Sequence, residues 1–185
     1  MKKAFLNNEI WILTFGGAFQ RANIYKQNFS EEIRNNFRSA LREEVEKIVT
    51  ENYHSKVLEI EHIKNIKSLV YFSKNLKVNN VTIPINFGVS QKLINLYLKY
   101  LWCLREIPEP PHFPVDRIIQ TDIIKIVKEH NLETLALLPW TKFEDDVHYR
   151  KIMKTAELII KEVELYKNVS LAEFELLLFN RKNTN

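Results

Sequence analysis

The sequence predicts an all-α fold: a single globular domain of six to seven helices over residues 1–180, with a frayed tail at 181–185. Three observations carry that expectation. Only 3 glycines and 6 prolines occur in 185 residues, too few for a turn-rich sandwich or barrel. Apolar residues recur at helical spacing in stretch after stretch. Ser30, Asp116 and Ser170 each stand where a helix pattern opens, and all three are good N-caps.

Residues 9–25 open the series. Ile10, Leu13, Ala18 and Ile24 fit a helix, with Trp11, Phe15 and Phe19 at i, i+4 and i+8. Gly16-Gly17 interrupts the pattern, which either weakens the helix or marks a close approach by another backbone. Ser30 caps the next helix, and Glu31 and Glu32 follow where the helix dipole favours acids. Ile33, Phe37, Leu41, Val45 and Ile48 form an amphipathic stripe to about Tyr53. Arg34, Arg38, Arg42, Glu43, Glu44, Glu46 and Lys47 take the other face, a mixture that reads as a solvated surface. Residues 56–74 repeat the logic with Leu58, Ile60, Ile63, Ile66, Leu69, Val70 and Phe72. The character then changes near 77–86. Val78, Val81, Ile83 and Ile85 alternate around an Asn79-Asn80 turn, and Pro84 breaks the run. That stretch reads as a short extended excursion.

After a central helix comes EIPEPPHFP, too rich in proline to be helical. Asp116 precedes a helix carrying Ile118, Ile119, Ile123, Ile124 and Val127. A loop at LPWTKFEDD holds Trp140 before a helix from about Glu144 to Tyr166. The last helix opens at Ser170-Leu171-Ala172-Glu173, the spacing of a capping box, and runs to about Asn180.

Composition bounds the function classes. Hydrophobic residues make up 45 %, which excludes a disordered chain. The net charge of +4 permits a polyanionic partner without demanding one. Cys103 stands alone, so an intramolecular disulfide and a four-cysteine metal site are excluded, and a reducing compartment fits. No apolar run reaches the roughly 18–20 residues that span a bilayer. Asn7, Asn8 and Glu9 break the apolar N-terminal stretch before any leader-like core develops. The expectation is a cytoplasmic monomer without metal or cofactor. Asp145, Asp146 and His148 lie too close in sequence for a metal site, and helix N-terminal acids explain the pair.

The stretch from Phe87 to Ile119 stands out. It reads as a turn around Gly88, a helix opening near Gln91 and Lys92, and a proline-rich return to Pro114-Val115-Asp116. The helix is apolar around most of its circumference, so it reads as buried. Lys92, Asn95 and Lys99 share one narrow face. Lysines on a buried helix line something wet or anionic.

Gly88, Val89, Gln91 and Lys92, followed by Pro114, Val115 and Asp116, resemble the helix-hairpin-helix DNA glycosylase superfamily. The likeness is greatest to its 8-oxoguanine glycosylase/lyase branch. It implies an all-α fold, Lys92 as nucleophile and Asp116 as its catalytic partner. Ser90 stands where the family hairpin carries a second glycine, and Lys92 and Asp116 lie 24 residues apart, a wider interval than in the family. The resemblance also implies DNA as partner, contacted through Gly88, Ser90, Gln91, Asn95, Lys99, His112, Arg117 and Trp140.

The chemistry asks for these residue types. A base must leave the duplex before its glycosidic bond can be attacked. An amine in an apolar setting beside a second ammonium, here Lys99, is shifted towards the neutral nucleophile. A carboxylate at Asp116 can stabilise a cationic sugar and take a proton from the amine, or position a water instead. The implied function is excision of an oxidised or otherwise modified base, in repair or in defence against phage DNA.

Bland readings stand beside these. Lys92 can snorkel or hold a phosphate, Asp116 can serve only as an N-cap, and Trp140 is either a core plug or a stacking surface. The alternatives are a non-catalytic helical module holding DNA through Lys92, Lys99, Arg105 and Arg117, or a protein-interaction subunit.

Overall fold

Seven α-helices make up the chain in a computed structural model that describes residues 1–179. They are α1 (Lys2–Phe19), α2 (Glu31–Asn52), α3 (Glu59–Asn75), α4 (Phe87–Cys103), α5 (Arg117–Glu129), α6 (Val147–Glu162) and α7 (Leu171–Leu178). One-turn 3₁₀ helices occur at Trp140–Lys142 and Glu164–Tyr166. The tail expected at 181–185 lies outside the described residues. Among those described, no strand forms, and no helix is long and apolar enough to cross a membrane.

The caps behave as their chemistry dictates. Ser30 accepts from Ile33 N, and Ser170 and Glu173 form the reciprocal capping box. The excursion near 77–86 is a two-residue hairpin turn. Val78 and Val81 exchange both backbone hydrogen bonds at 2.9 Å. Asn79 and Asn80 supply the positive φ values of 48° and 62° that such a turn requires.

Four helix starts differ from the sequence reading. α3 and α6 open three residues later than expected, at Glu59 and Val147, and α6 ends at Glu162 rather than near Tyr166. α1 opens at Lys2 rather than residue 9 and stops at Phe19, so Ile24 lies beyond it. α4 opens at Phe87, capped by Asn86, whose Oδ1 accepts from Val89 N at 3.1 Å. The turn expected around Gly88 is therefore absent. Gly88 lies in the first turn of the helix with ordinary negative φ.

α4 is the axis of the fold and packs against α1, α3 and the 140–142 turn. Leu93, Ile94 and Leu98 are fully buried. The helix ends where Arg105 takes a left-handed conformation (φ 60°) and Glu106 N closes back onto Leu101 O at 2.9 Å. The prolines that follow keep the chain extended.

The two α1 glycines have different reasons. A Cβ on Gly17 would come within 2.7 Å of Leu96 Cδ1, so glycine lets α1 and α4 approach closely. The neighbour is a side chain rather than the backbone that the sequence suggested. At Gly16 a Cβ would meet nothing within 4 Å. Gly16→Ala is therefore expected to stabilise the protein by about 0.5–1 kcal/mol, raising Tm by about 2–4 °C per kcal/mol. A thermal melt checks this, and a lowered Tm would contradict the open face.

Candidate active site around Lys92 and Asp116

Two consecutive residues of α4 hold two consecutive residues of the proline-rich return. The Gln91 amide pairs with both backbone groups of Val115, donating to its carbonyl at 2.8 Å and accepting its N–H at 3.1 Å. One residue on, Lys92 Nζ reaches Asp116 Oδ2 at 3.3 Å. The first contact places the second. Gln91 fixes the backbone beside Asp116, and Val115, fully buried, cannot drift.

The two carboxylate oxygens of Asp116 have separate tasks. Oδ1 caps α5, accepting from Ile118 N at 2.8 Å and Ile119 N at 3.1 Å. Oδ2 is left for the lysine. The Asp116 side chain is 31 % exposed and that of Lys92 is 10 % exposed, so the carboxylate sits at the mouth and the amine at the bottom. The Lys92 ammonium also lies over the Trp140 ring, 4.4 Å from its centre.

Gly17, Gln20 and Arg21 from the end of α1, with Arg117, Ile118 and Trp140, complete a cleft of about 190 Å³ over the pair. A second hollow of about 290 Å³ shares Arg21, Arg117 and Trp140 and continues past Leu137 and Leu138. Burial lowers the pKa of Lys92 below the ordinary lysine value. Asp116 opposes that shift, and the charge of Arg21 adds to it. The like-charge neighbour is thus Arg21, not Lys99.

Several residues expected to touch DNA lie elsewhere. Gly88 donates its N–H to Phe143 O at 2.9 Å, and its α-carbon faces the Trp140 carbonyl. Ser90 is fully buried and its N–H closes the first turn of α4 onto Asn86 O. Gln91 and Asn95 are also fully buried. These four have no surface for a phosphate. Trp140 is 3 % exposed beneath Lys92, so it is a floor and not a displayed stacking platform. Arg117 is exposed at the mouth, as a phosphate contact requires.

His112 is 3 % exposed and belongs to a polar chain inside the core. Asn95 Nδ2 donates to Tyr149 OH at 2.9 Å, and that hydroxyl meets His112 Nδ1 at 3.1 Å. The His62 and His112 rings meet edge to face at 4.9 Å. His62 Nδ1 in turn meets Tyr53 OH at 2.8 Å. Burial, helped by the charge of Arg150, pulls His112 down to about 3, so it stays neutral in ordinary buffers. A neutral, buried imidazole is a poor phosphate ligand and a good core hydrogen-bonding group.

Lys99 has its own partner, about two turns further along the same face of α4. Its Nζ lies 2.6 and 2.9 Å from the two oxygens of Glu175 on α7, with side chains 10 % and 7 % exposed. Burial raises the pKa of Glu175, and Lys99 pulls against that rise. Breaking such a pair strands a buried charge. Glu175→Gln is expected to cost about 3 kcal/mol, read as the midpoint of urea unfolding. The double change Lys99→Met with Glu175→Leu recovers most of it. A single variant as stable as the parent would contradict the pairing.

Sequence reasoning missed Asn86 and Arg21. Asn86 had a local signal, an Asx residue directly before an apolar run. Arg21 had none, because its place in the cleft depends on the α1–α4 crossing. Compared with models of known families, with curated proteins and with solved structures, the chain shows no significant match. The site is read from its own geometry.

Proposed function

We propose that the protein is a DNA N-glycosylase that removes an oxidised or otherwise modified base, with Lys92 as nucleophile and Asp116 as its partner. The observation that carries the reading is a buried amine at the bottom of an open cleft, 3.3 Å from a carboxylate whose position is set by a helix cap. Desolvation biases the amine towards its neutral form, and the carboxylate is placed to receive its proton. The neutral amine attacks C1′, the C1′–N bond breaks, and its electron pair leaves with the base, which is protonated. The substituted nitrogen gives up a proton to Asp116, and the C1′–O4′ bond opens with O4′ taking up a proton. The protonated Schiff base so formed loses a C2′ proton and then the 3′ phosphate by β-elimination, the lyase step. Asp116 offsets the positive charge that develops on the sugar. Arg21 and Arg117 at the mouth suit the flanking phosphates.

This reading draws on the Lys92–Asp116 pair and not on a hairpin, since the glycine expected there lies inside α4. The test is borohydride trapping with a panel of duplexes, each carrying one modified base. The expected result is a covalent adduct that maps to Lys92 and released base. If no duplex in a broad panel yields adduct or free base, the reading is wrong. Exposed Arg21 and Arg117 favour one second reading, a non-catalytic DNA-binding module, which binds salt-dependently and releases nothing.

A further inference from the structure

Three guanidinium groups line up on α2 over aromatic rings of α1 and the turn after it. Arg34 and Arg38 stand 5.2 and 5.9 Å from the centre of the Tyr25 ring, and Arg42 stands 5.8 Å from that of Trp11. Their spacing of i, i+4 and i+8 puts them on one face, about 6 Å apart along the helix. Each cation is held over a ring; Arg34 Nε is buried there without a hydrogen-bond partner, and Arg38 is exposed to solvent. Arg42 pairs with Glu46 at 3.0 Å. Among the described residues, neither Arg34 nor Arg38 has a carboxylate partner, and Arg34 bonds only the neutral Asn28 at 3.4 Å. Like charges in a row repel. A row of cations held in order in spite of that is built for anions in a row.

Between α1 and α2 runs a groove of about 820 Å³ whose lining includes Phe15, Gly16, Gln20, Arg38 and Arg42, but not Arg34. Gly16 is exposed there, with open space where its Cβ would be. Nothing within the chain asks for glycine at that point, and glycine in mid-helix costs stability. Close passage of another backbone over α1 does ask for it. Gln20 lines both this groove and the Lys92 cleft, so the two adjoin at that residue.

We infer that the α1–α2 groove is a track for one DNA strand, with Arg38 and Arg42 on neighbouring phosphates and the strand reaching the Lys92 cleft past Gln20. The choice of DNA rests on the glycosylase reading; the row of phosphate-spaced cations stands apart from it. An acidic peptide would meet the charges, but it would have no use for a groove that adjoins the cleft.

The experiment is fluorescence anisotropy with a labelled single strand and a labelled duplex, across a salt series. Wild type is compared with Arg38→Gln and Gly16→Leu. Gly16 has open space, so Gly16→Leu is expected to keep the wild-type Tm or exceed it. Arg38 is exposed, so Arg38→Gln is expected to lower Tm by no more than about 2–4 °C, the loss of one exposed contact with the Tyr25 ring. Each is expected to bind about tenfold more weakly or worse. Arg38→Gln also lowers the salt slope by about 1, the mark of one lost phosphate contact. Wild-type affinity in both variants overturns the proposal, as does failure of the wild type to bind either DNA at low salt. Displacement of the DNA by polyglutamate as readily as by unlabelled DNA of equal charge also overturns it, in favour of a protein partner. Binding that depends on Arg38 and Gly16 but frees no base upholds the track and removes the glycosylase reading.

Discussion

Gly88→Ala is expected to destabilise the protein by about 3 kcal/mol or more, through overpacking together with loss of a buried hydrogen bond. A Cβ at Gly88 would fall 1.7 Å from the Trp140 carbonyl oxygen and 2.9 Å from its carbon. The obstacle is backbone, so no rotamer change relieves it. Gly88 N also donates to Phe143 O at 2.9 Å, and Asn86 Nδ2 donates to Thr141 O at 2.8 Å. The start of α4 and residues 140–143 are thus one docked unit, and the added methyl must push them apart. At about 2–4 °C per kcal/mol for a chain of this size, Tm should fall by roughly 6–12 °C. The displacement would also lift Trp140 from beneath Lys92, so tryptophan fluorescence should shift to the red. A melt within a degree of wild type would contradict the contact.

Gly88 also shows why the sequence was only partly legible. A glycine before an apolar run looks like a turn, because its usual local meaning is conformational freedom. Here its φ is ordinary, and the constraint comes from a carbonyl some fifty residues later. No local pattern encodes that. Helices whose reasons are local were legible. α2 has a cap, acids in its first turn and one apolar stripe, and its bounds agree with the reading to within a residue. The cap at Asp116 was legible for the same reason.

The site divides along the same line. The approach of Lys92 to Asp116 was expected from a resemblance over residues 87–119, and the geometry brings the two side chains together. The partner of Lys99 was not legible, since Glu175 lies 76 residues away on α7. Asn95 and His112 were read as ligand contacts because polar groups on an apolar segment invite a functional reading. They are linked through Tyr149 inside the core instead, the commoner fate of a buried polar group, although Asn95 Oδ1 is left without a partner.

Lys92→Gln is expected to abolish the borohydride adduct, and Asp116→Asn to slow base release by about 10²–10⁴-fold, the range for loss of a positioned acid–base partner. The second substitution separates the two tasks of Asp116. Asparagine is as good an N-cap as aspartate, so the bonds to Ile118 N and Ile119 N survive in kind. Only the charge facing Lys92 is lost. A structural latch would then leave Tm and release nearly unchanged, whereas a catalytic carboxylate would leave Tm and lose release. The pH profile adds a sign. In the folded protein burial holds the Lys92 pKa below the ordinary lysine value, near 10.4 in free peptides, so neutral amine appears on raising pH at a lower pH than in an unfolded chain. Adduct formation should rise with pH through an inflection below 10.4. Between the folded and unfolded values the unfolded chain binds more protons, so Lys92 makes stability rise with pH across that window. Asp116 is the group that raises the Lys92 pKa against burial and Arg21. In Asp116→Asn the inflection of the residual reaction should therefore move further down while its rate falls. An inflection that moves up would mean that the charge felt by Lys92 is set by something other than this carboxylate, and the pairing would lose its place in the chemistry.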